Sequence, residues 1–176
     1  MQFLVLAFAL LLATTGTARA QAPQVDRIEF TEYGIYTVDR DIQERDALGI
    51  NKAAASNVRH AVTLRTVPAQ IGTTFGFRYQ LIGTPNDAPV DLREVVIFPP
   101  TGIVPKGSST PIAKDEFTLQ TRIGEISYAA YTLEERFELV TGEWAIELWY
   151  GDQKLGAQRF KIIDLNSECE RECQGF

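Results

Sequence analysis

The sequence predicts an all-β protein, an antiparallel sandwich or small barrel of about seven or eight short strands. Three observations carry that prediction. Apolar residues recur at every second position through most of the chain beyond Val25. Helical periodicity is scarce, and clusters of Gly, Pro, Asn and Asp separate the alternating runs at regular spacing.

Val25 to Tyr36 is the first strand, with Ile28 and Phe30 sharing a face; Gly34 within it marks a bulge or a close backbone approach. Asp39 to Asn57 is polar. Asp41-Ile-Gln-Glu44 has the form of a capping box and Gly49 suits a helix C-cap, which predicts one short helix here, with a long loop as the other reading. Val58 to Val67 alternates again, directing Val58, His60, Val62 and Leu64 inward and Arg59, Thr63 and Arg65 outward. In the next strand Phe75, Phe77, Tyr79 and Leu81 form the core face, opposite Thr74, Gly76, Arg78 and Gln80.

A dense turn signal spans Gly83 to Asp87. Val90 to Phe98 is apolar in both phases, as a central strand covered on both faces would be. A Pro/Gly/Ser loop from Pro99 to Pro111 leads into strands near Glu116–Ile123 and Ile126–Leu133. The clearest pair comes last. Trp144, Ile146, Leu148 and Tyr150 alternate with Glu143, Ala145, Glu147 and Trp149, and a turn at Gly151–Lys154 sends Leu155–Ile163 back alongside. No repeat, low-complexity segment or change of composition divides the chain, so one domain is expected.

The N-terminus follows a different rule. Phe3 to Ala13 is an unbroken apolar run, too short to cross a bilayer, and it is followed by Ala18-Arg19-Ala20. That is the form of a cleavable secretion signal over 1–20. It predicts a periplasmic or secreted protein with one β-sandwich domain over 21–168 and a cysteine-bearing tail over 169–176. No second long apolar segment follows, so an integral membrane protein is not expected. In an oxidising compartment Cys169 and Cys173 are most simply a disulfide. The metal alternative is weaker: two thiolates need further ligands, and the single histidine, His60, lies far upstream. The formal charge of −6, with no basic stripe, argues against nucleic acid as a partner.

The segments Glu32-Tyr-Gly-Ile-Tyr36, Pro68-Ala-Gln-Ile-Gly-Thr-Thr-Phe-Gly-Phe-Arg78, Phe98-Pro-Pro-Thr-Gly102 and Gly142-Glu-Trp144, followed by Lys154-Leu155 and Phe160, resemble a bacterial domain-of-unknown-function family, DUF3859. The resemblance covers most of the chain beyond the signal. It implies an exported, immunoglobulin-like β-sandwich and brings no active site with it, because its motifs are Gly, Pro and aromatic residues that specify turns and core.

Candidate chemistry is sparse. His60 is in phase with Val58, Val62 and Leu64, where a lone histidine is a hydrogen-bonded core or core-edge residue more often than a base. No G-x-S-x-G elbow is present, and no partner set for a nucleophile can be assembled. Glu134, Glu135 and Glu138 lie near Tyr131 and Phe137; paired carboxylates can hydrolyse glycosides, but such a cluster also reads as a solvated turn. Asp39, Asp41 and Asp46 lack calcium-loop spacing. Trp149 is out of phase with the core residues of its strand, so it should face outward, where tryptophan anchors sugars and protein partners or packs beneath a loop. Trp149, Tyr131 and Arg78 are the candidate ligand-binding residues. No catalytic residue, metal site or cofactor is predicted. The expected function is non-catalytic binding of a protein or an envelope glycan. A carboxylate-dependent hydrolase and a structural subunit of an envelope assembly, joined through an exposed sheet edge, are the alternatives.

Overall fold

The computed structural model describes residues 22–45 and 51–165, with side chains described over 22–39 and 56–165. Nine strands are found among the described residues: β1 (Gln24–Arg45), β2 (Asn51–Val62), β3 (Thr66–Pro68), β4 (Thr74–Thr84), β5 (Pro89–Ile97), β6 (Lys114–Arg122), β7 (Ile126–Thr132), β8 (Gly142–Tyr150) and β9 (Gln153–Ile163). They form two sheets, ordered β2-β1-β4-β7 and β3-β9-β8-β5-β6. The protein is an all-β sandwich.

Alternation explains why the sheets face one another. Phe75, Phe77, Tyr79 and Leu81 of β4 are fully buried, as are Leu92 and Val96 of β5 and Trp144, Ile146 and Leu148 of β8. Each set has period two, so each strand turns one row of apolar side chains to the opposite sheet. Trp144 sits at the centre of an aromatic cluster. Its ring meets Phe98 edge-on at 4.8 Å and Phe75 at 5.9 Å, and its indole N–H donates to the Val140 carbonyl at 2.9 Å. The antiparallel β8–β9 hairpin and the interior position of β5, between β6 and β8, match the alternation of their residues.

The structure corrects four expectations in the N-terminal half and the connections. Asp41 to Glu44 is not helical: it continues β1, where Asp41 pairs with Ala54 and Glu44 with Lys52. A local capping pattern loses here to the ladder that an adjacent strand supplies. A 3-10 turn spans Arg136–Glu138, and Asp46 and Gly49 lie outside the described residues. The second correction concerns Val58 to Leu64, whose apolar phase does not reach the core: Val62 and Leu64 are exposed. β2 is an edge strand paired to β1 from Ile35 to Arg45, overlapping only at Ile35 and Tyr36 the part of β1, Gln24 to Tyr36, that pairs with β4. The third is that the run splits, with Thr66–Pro68 crossing to the other sheet as β3. The fourth is β3 itself, which pairs in parallel with β9, a local exception to the antiparallel pattern.

Gly34 is where the first of these arrangements is fixed. Its φ is +141°, and a Cβ there would stand 2.0 Å from the Val62 carbonyl oxygen. Only glycine lets β2 pass this close to the middle of β1.

Candidate functional site

β6 and β7 are edge strands of opposite sheets, joined by a short turn through Gly124. Among the described residues neither strand has a ladder partner on its outer side, so the described sandwich is open between them. A cavity of about 430 Å³ occupies this opening, lined by Tyr79 of β4, Glu94 of β5, Phe117 and Leu119 of β6, and Ser127 and Ala130 of β7, among others. The volume is within the range of small-molecule sites, roughly 300–1,000 Å³. Near the turn the Thr121 and Ser127 hydroxyls hydrogen-bond across the gap at 2.6 Å, tying the two edges together.

Glu94 defines the site. It occupies the inward phase of β5, between Leu92 and Val96, and is 1% exposed. Its Oε1 makes no hydrogen bond. Burial, followed by the nearby charge of Asp115, pushes its carboxyl well above the usual carboxylate range. The residue therefore favours its neutral acid, which can donate a proton or a hydrogen bond. Asp115, itself buried on β6, accepts from the Glu116 backbone N–H at 2.9 Å. Burial, then Glu94, also raise the Tyr79 phenol, an effect partly offset by the hydroxyls of Thr121 and Ser127. Glu94 and Tyr79 thus set buried polar groups among the apolar and aromatic side chains that line the cavity, with Asp115 near Glu94 but outside the lining. An acid inside a sandwich core costs free energy unless something compensates it.

The family model described as "Domain of unknown function (DUF3859)" matches residues 24–162, nearly the whole of the described sandwich. The chain belongs to the DUF3859 family. It is also similar to an immunoglobulin-like protein from Pseudomonas aeruginosa whose crystal structure was determined at 1.50 Å. The identity is 27%, the match covers 83% of this chain and 99% of that one, and the TM-score is 0.54. The immunoglobulin-like sandwich expected from the Gly, Pro and aromatic motifs is therefore the fold of this DUF3859 domain. No curated protein matches the chain.

The three residues singled out from sequence are not brought together. Arg78 lies on the outer face of the four-stranded sheet, 3.3 Å from Glu32 and donating to the Val58 carbonyl at 2.7 Å. His60 is on the same face rather than in the core: its ring meets Tyr36 at 5.4 Å and Nε2 is 3.1 Å from the Tyr33 carbonyl oxygen. Tyr131 is buried between the sheets of the DUF3859 domain and donates to Glu138 at 2.7 Å. Glu138 also accepts from the backbone N–H groups of Glu134 and Glu135, at 2.6 and 2.7 Å. Its carboxylate is committed to holding the 3-10 turn.

Trp149 is half-buried on the outer face of the five-stranded sheet. Its indole N–H donates to Glu147 at 3.0 Å, Arg93 lies 5.1 Å from the ring centre, and Lys154 pairs with Glu147 beside it. It packs among charged side chains and does not line the cavity. Asp39 accepts from the Asn57 side-chain amide at 2.7 Å. Cys169 and Cys173 lie outside the described residues, as do residues 1–20, read from the sequence as a secretion signal.

Glu94 went unread in the sequence, although its signal was there. Val90, Leu92, Val96 and Phe98 mark the core phase of β5, and Glu94 falls in that phase. A charge in a core phase is the informative exception. Among the described residues no group of three or more His, Cys, Asp or Glu is placed to hold a metal ion, and no helix is long and apolar enough to cross a membrane.

Proposed function

We propose that this domain is an exported, non-catalytic binding module whose ligand enters the cleft between β6 and β7. The observation that carries the reading is Glu94: a wholly buried carboxyl, one oxygen unpartnered, at the floor of an open cavity of about 430 Å³. A buried polar atom without a partner is costly, and a ligand that completes its hydrogen bonding recovers that cost. The size of the cleft suits one sugar ring or one side chain of a protein partner. Secretion rests on the Phe3–Ala20 pattern.

Leu119→Trp tests the site by filling the cleft from β6. Immobilised wild-type protein is expected to retain a ligand from a periplasmic extract, resolved into protein and soluble-glycan fractions. The variant is expected to lose that ligand while keeping its melting temperature. Equal retention by a folded variant places binding elsewhere.

The Glu94–Asp115 pair also favours a second reading, a carboxylate-dependent hydrolase, since a buried protonated carboxyl is the state of a general acid. Turnover of glycosides by the wild type, lost in Glu94→Gln, identifies that case.

A further inference from the structure

The electrostatics of the cleft define its ligand more narrowly, on the premise that the cleft is the ligand site. Among the described residues that line it, none is basic. Among the described residues the titratable groups around Glu94 are Tyr79 on β4, Asp115 on β6, Glu125 in the β6–β7 turn and Tyr128 on β7; β8 presents Trp144, Ile146 and Leu148 to the core, none of them titratable. Every one of these groups is neutral or negative. Arg122 of β6 pairs with Asp87 and Arg78 of β4 with Glu32; Lys114 of β6 and Arg93, on the same strand as Glu94, are drawn to Glu116, whose carboxyl they hold below the usual range. They compensate Glu116 and leave Glu94 to its own surroundings.

Two neighbouring carboxyls cannot both ionise cheaply in a low-dielectric interior. A cation reverses that balance. An ammonium supplies donors to an unpartnered carboxylate oxygen, and Phe117 and Tyr128 give the aromatic surface that cations favour. We infer that the cleft receives the cationic end of an alkyl amine, either a small free amine or the lysine side chain of a partner protein. As the cation enters, Glu94 releases its proton to bulk water and the carboxylate pairs with the ammonium. The exchange leaves the net charge of the site unchanged, since the entering ammonium balances the carboxylate that forms.

Calorimetric titration of the exported protein tests this, with n-butylamine, an acetylated lysine tripeptide and methyl β-glucoside as probes in two buffers of different ionisation enthalpy. Amine binding is expected to release up to about one proton and to tighten roughly tenfold per pH unit while Glu94 is protonated. Glu94→Gln is expected to abolish both effects, and Leu119→Trp to abolish binding. A tripeptide much tighter than butylamine identifies a protein partner as the source, and equal affinities identify a small amine. Glucoside binding blocked by Leu119→Trp, with no amine binding, overturns the cationic ligand and leaves the cleft as the site. Amine binding unaffected by Glu94→Gln overturns the role of Glu94. If no probe binds and the extract ligand survives Leu119→Trp, both the cation and the cleft are overturned.

Discussion

Glu94 couples folding to pH through a simple balance. In the unfolded chain its carboxyl has the ordinary value of 4.5, and in the sandwich that value is raised by burial and Asp115. Above pH 4.5 the unfolded chain gives up a proton that the folded state keeps. Stability therefore falls as pH rises from 4.5 to the folded value, and levels off beyond it. Glu138, raised chiefly by burial against the pull of its hydrogen bonds, contributes a slope of the same sign. Urea melts across this range should show stability decreasing with pH, and Glu94→Gln should flatten the dependence without removing the Glu138 part. A slope unchanged in Glu94→Gln contradicts the assignment. The two tryptophans separate packing from surface contact. Trp144→Ala empties the centre of the aromatic cluster and should cost about 3–5 kcal/mol. Trp149→Ala removes one hydrogen bond and the cation–π contacts of Arg93 and Lys154 at a half-exposed site, about 1 kcal/mol. Equal losses in denaturant melts contradict the two faces assigned to β8.

At the scale of elements, the β1–β2 pairing depends on one position. Gly34→Ala places a methyl group against the Val62 carbonyl and forces an unfavourable φ, so the two strands must separate or bend. The expected cost is about 2 kcal/mol or more, with amide exchange accelerated in β2 while β8 and β9 stay protected. Exchange accelerated equally in both sheets contradicts this local account. The 3-10 turn after β7 shows the same dependence on context. Its three glutamates resemble a catalytic cluster in sequence, but Glu138 is turned inward to meet Tyr131 and two backbone N–H groups. A short loop between strands in different sheets has few ways to satisfy its backbone, and a carboxylate does it economically.

For the whole molecule, the exported form is expected to begin at or near Gln21, and Cys169 and Cys173 to be joined within one chain. Intact mass before and after reduction checks both, by the missing leader and by a gain of about two hydrogens. The bridge closes a short loop beyond β9, so reducing it should leave the melting temperature almost unchanged. A large drop means that the tail packs on the sandwich. The sequence by itself determined the all-β class, the core rows of β4 and β8, the last hairpin and the need for glycine at Gly34. These follow from period-two alternation and from backbone limits, both local properties. Tertiary structure alone decided the rest. Whether Asp41–Glu44 coils or pairs depends on a strand beside it, and whether the Val58–Leu64 row is buried depends on which sheet edge it reaches. The cleft itself is decided by two edge strands in opposite sheets failing to meet. The residues of β6 and β7 state their own phase, but the gap between them is a property of the assembled sandwich, and it turns Glu94 from an anomaly in an apolar row into the floor of a site.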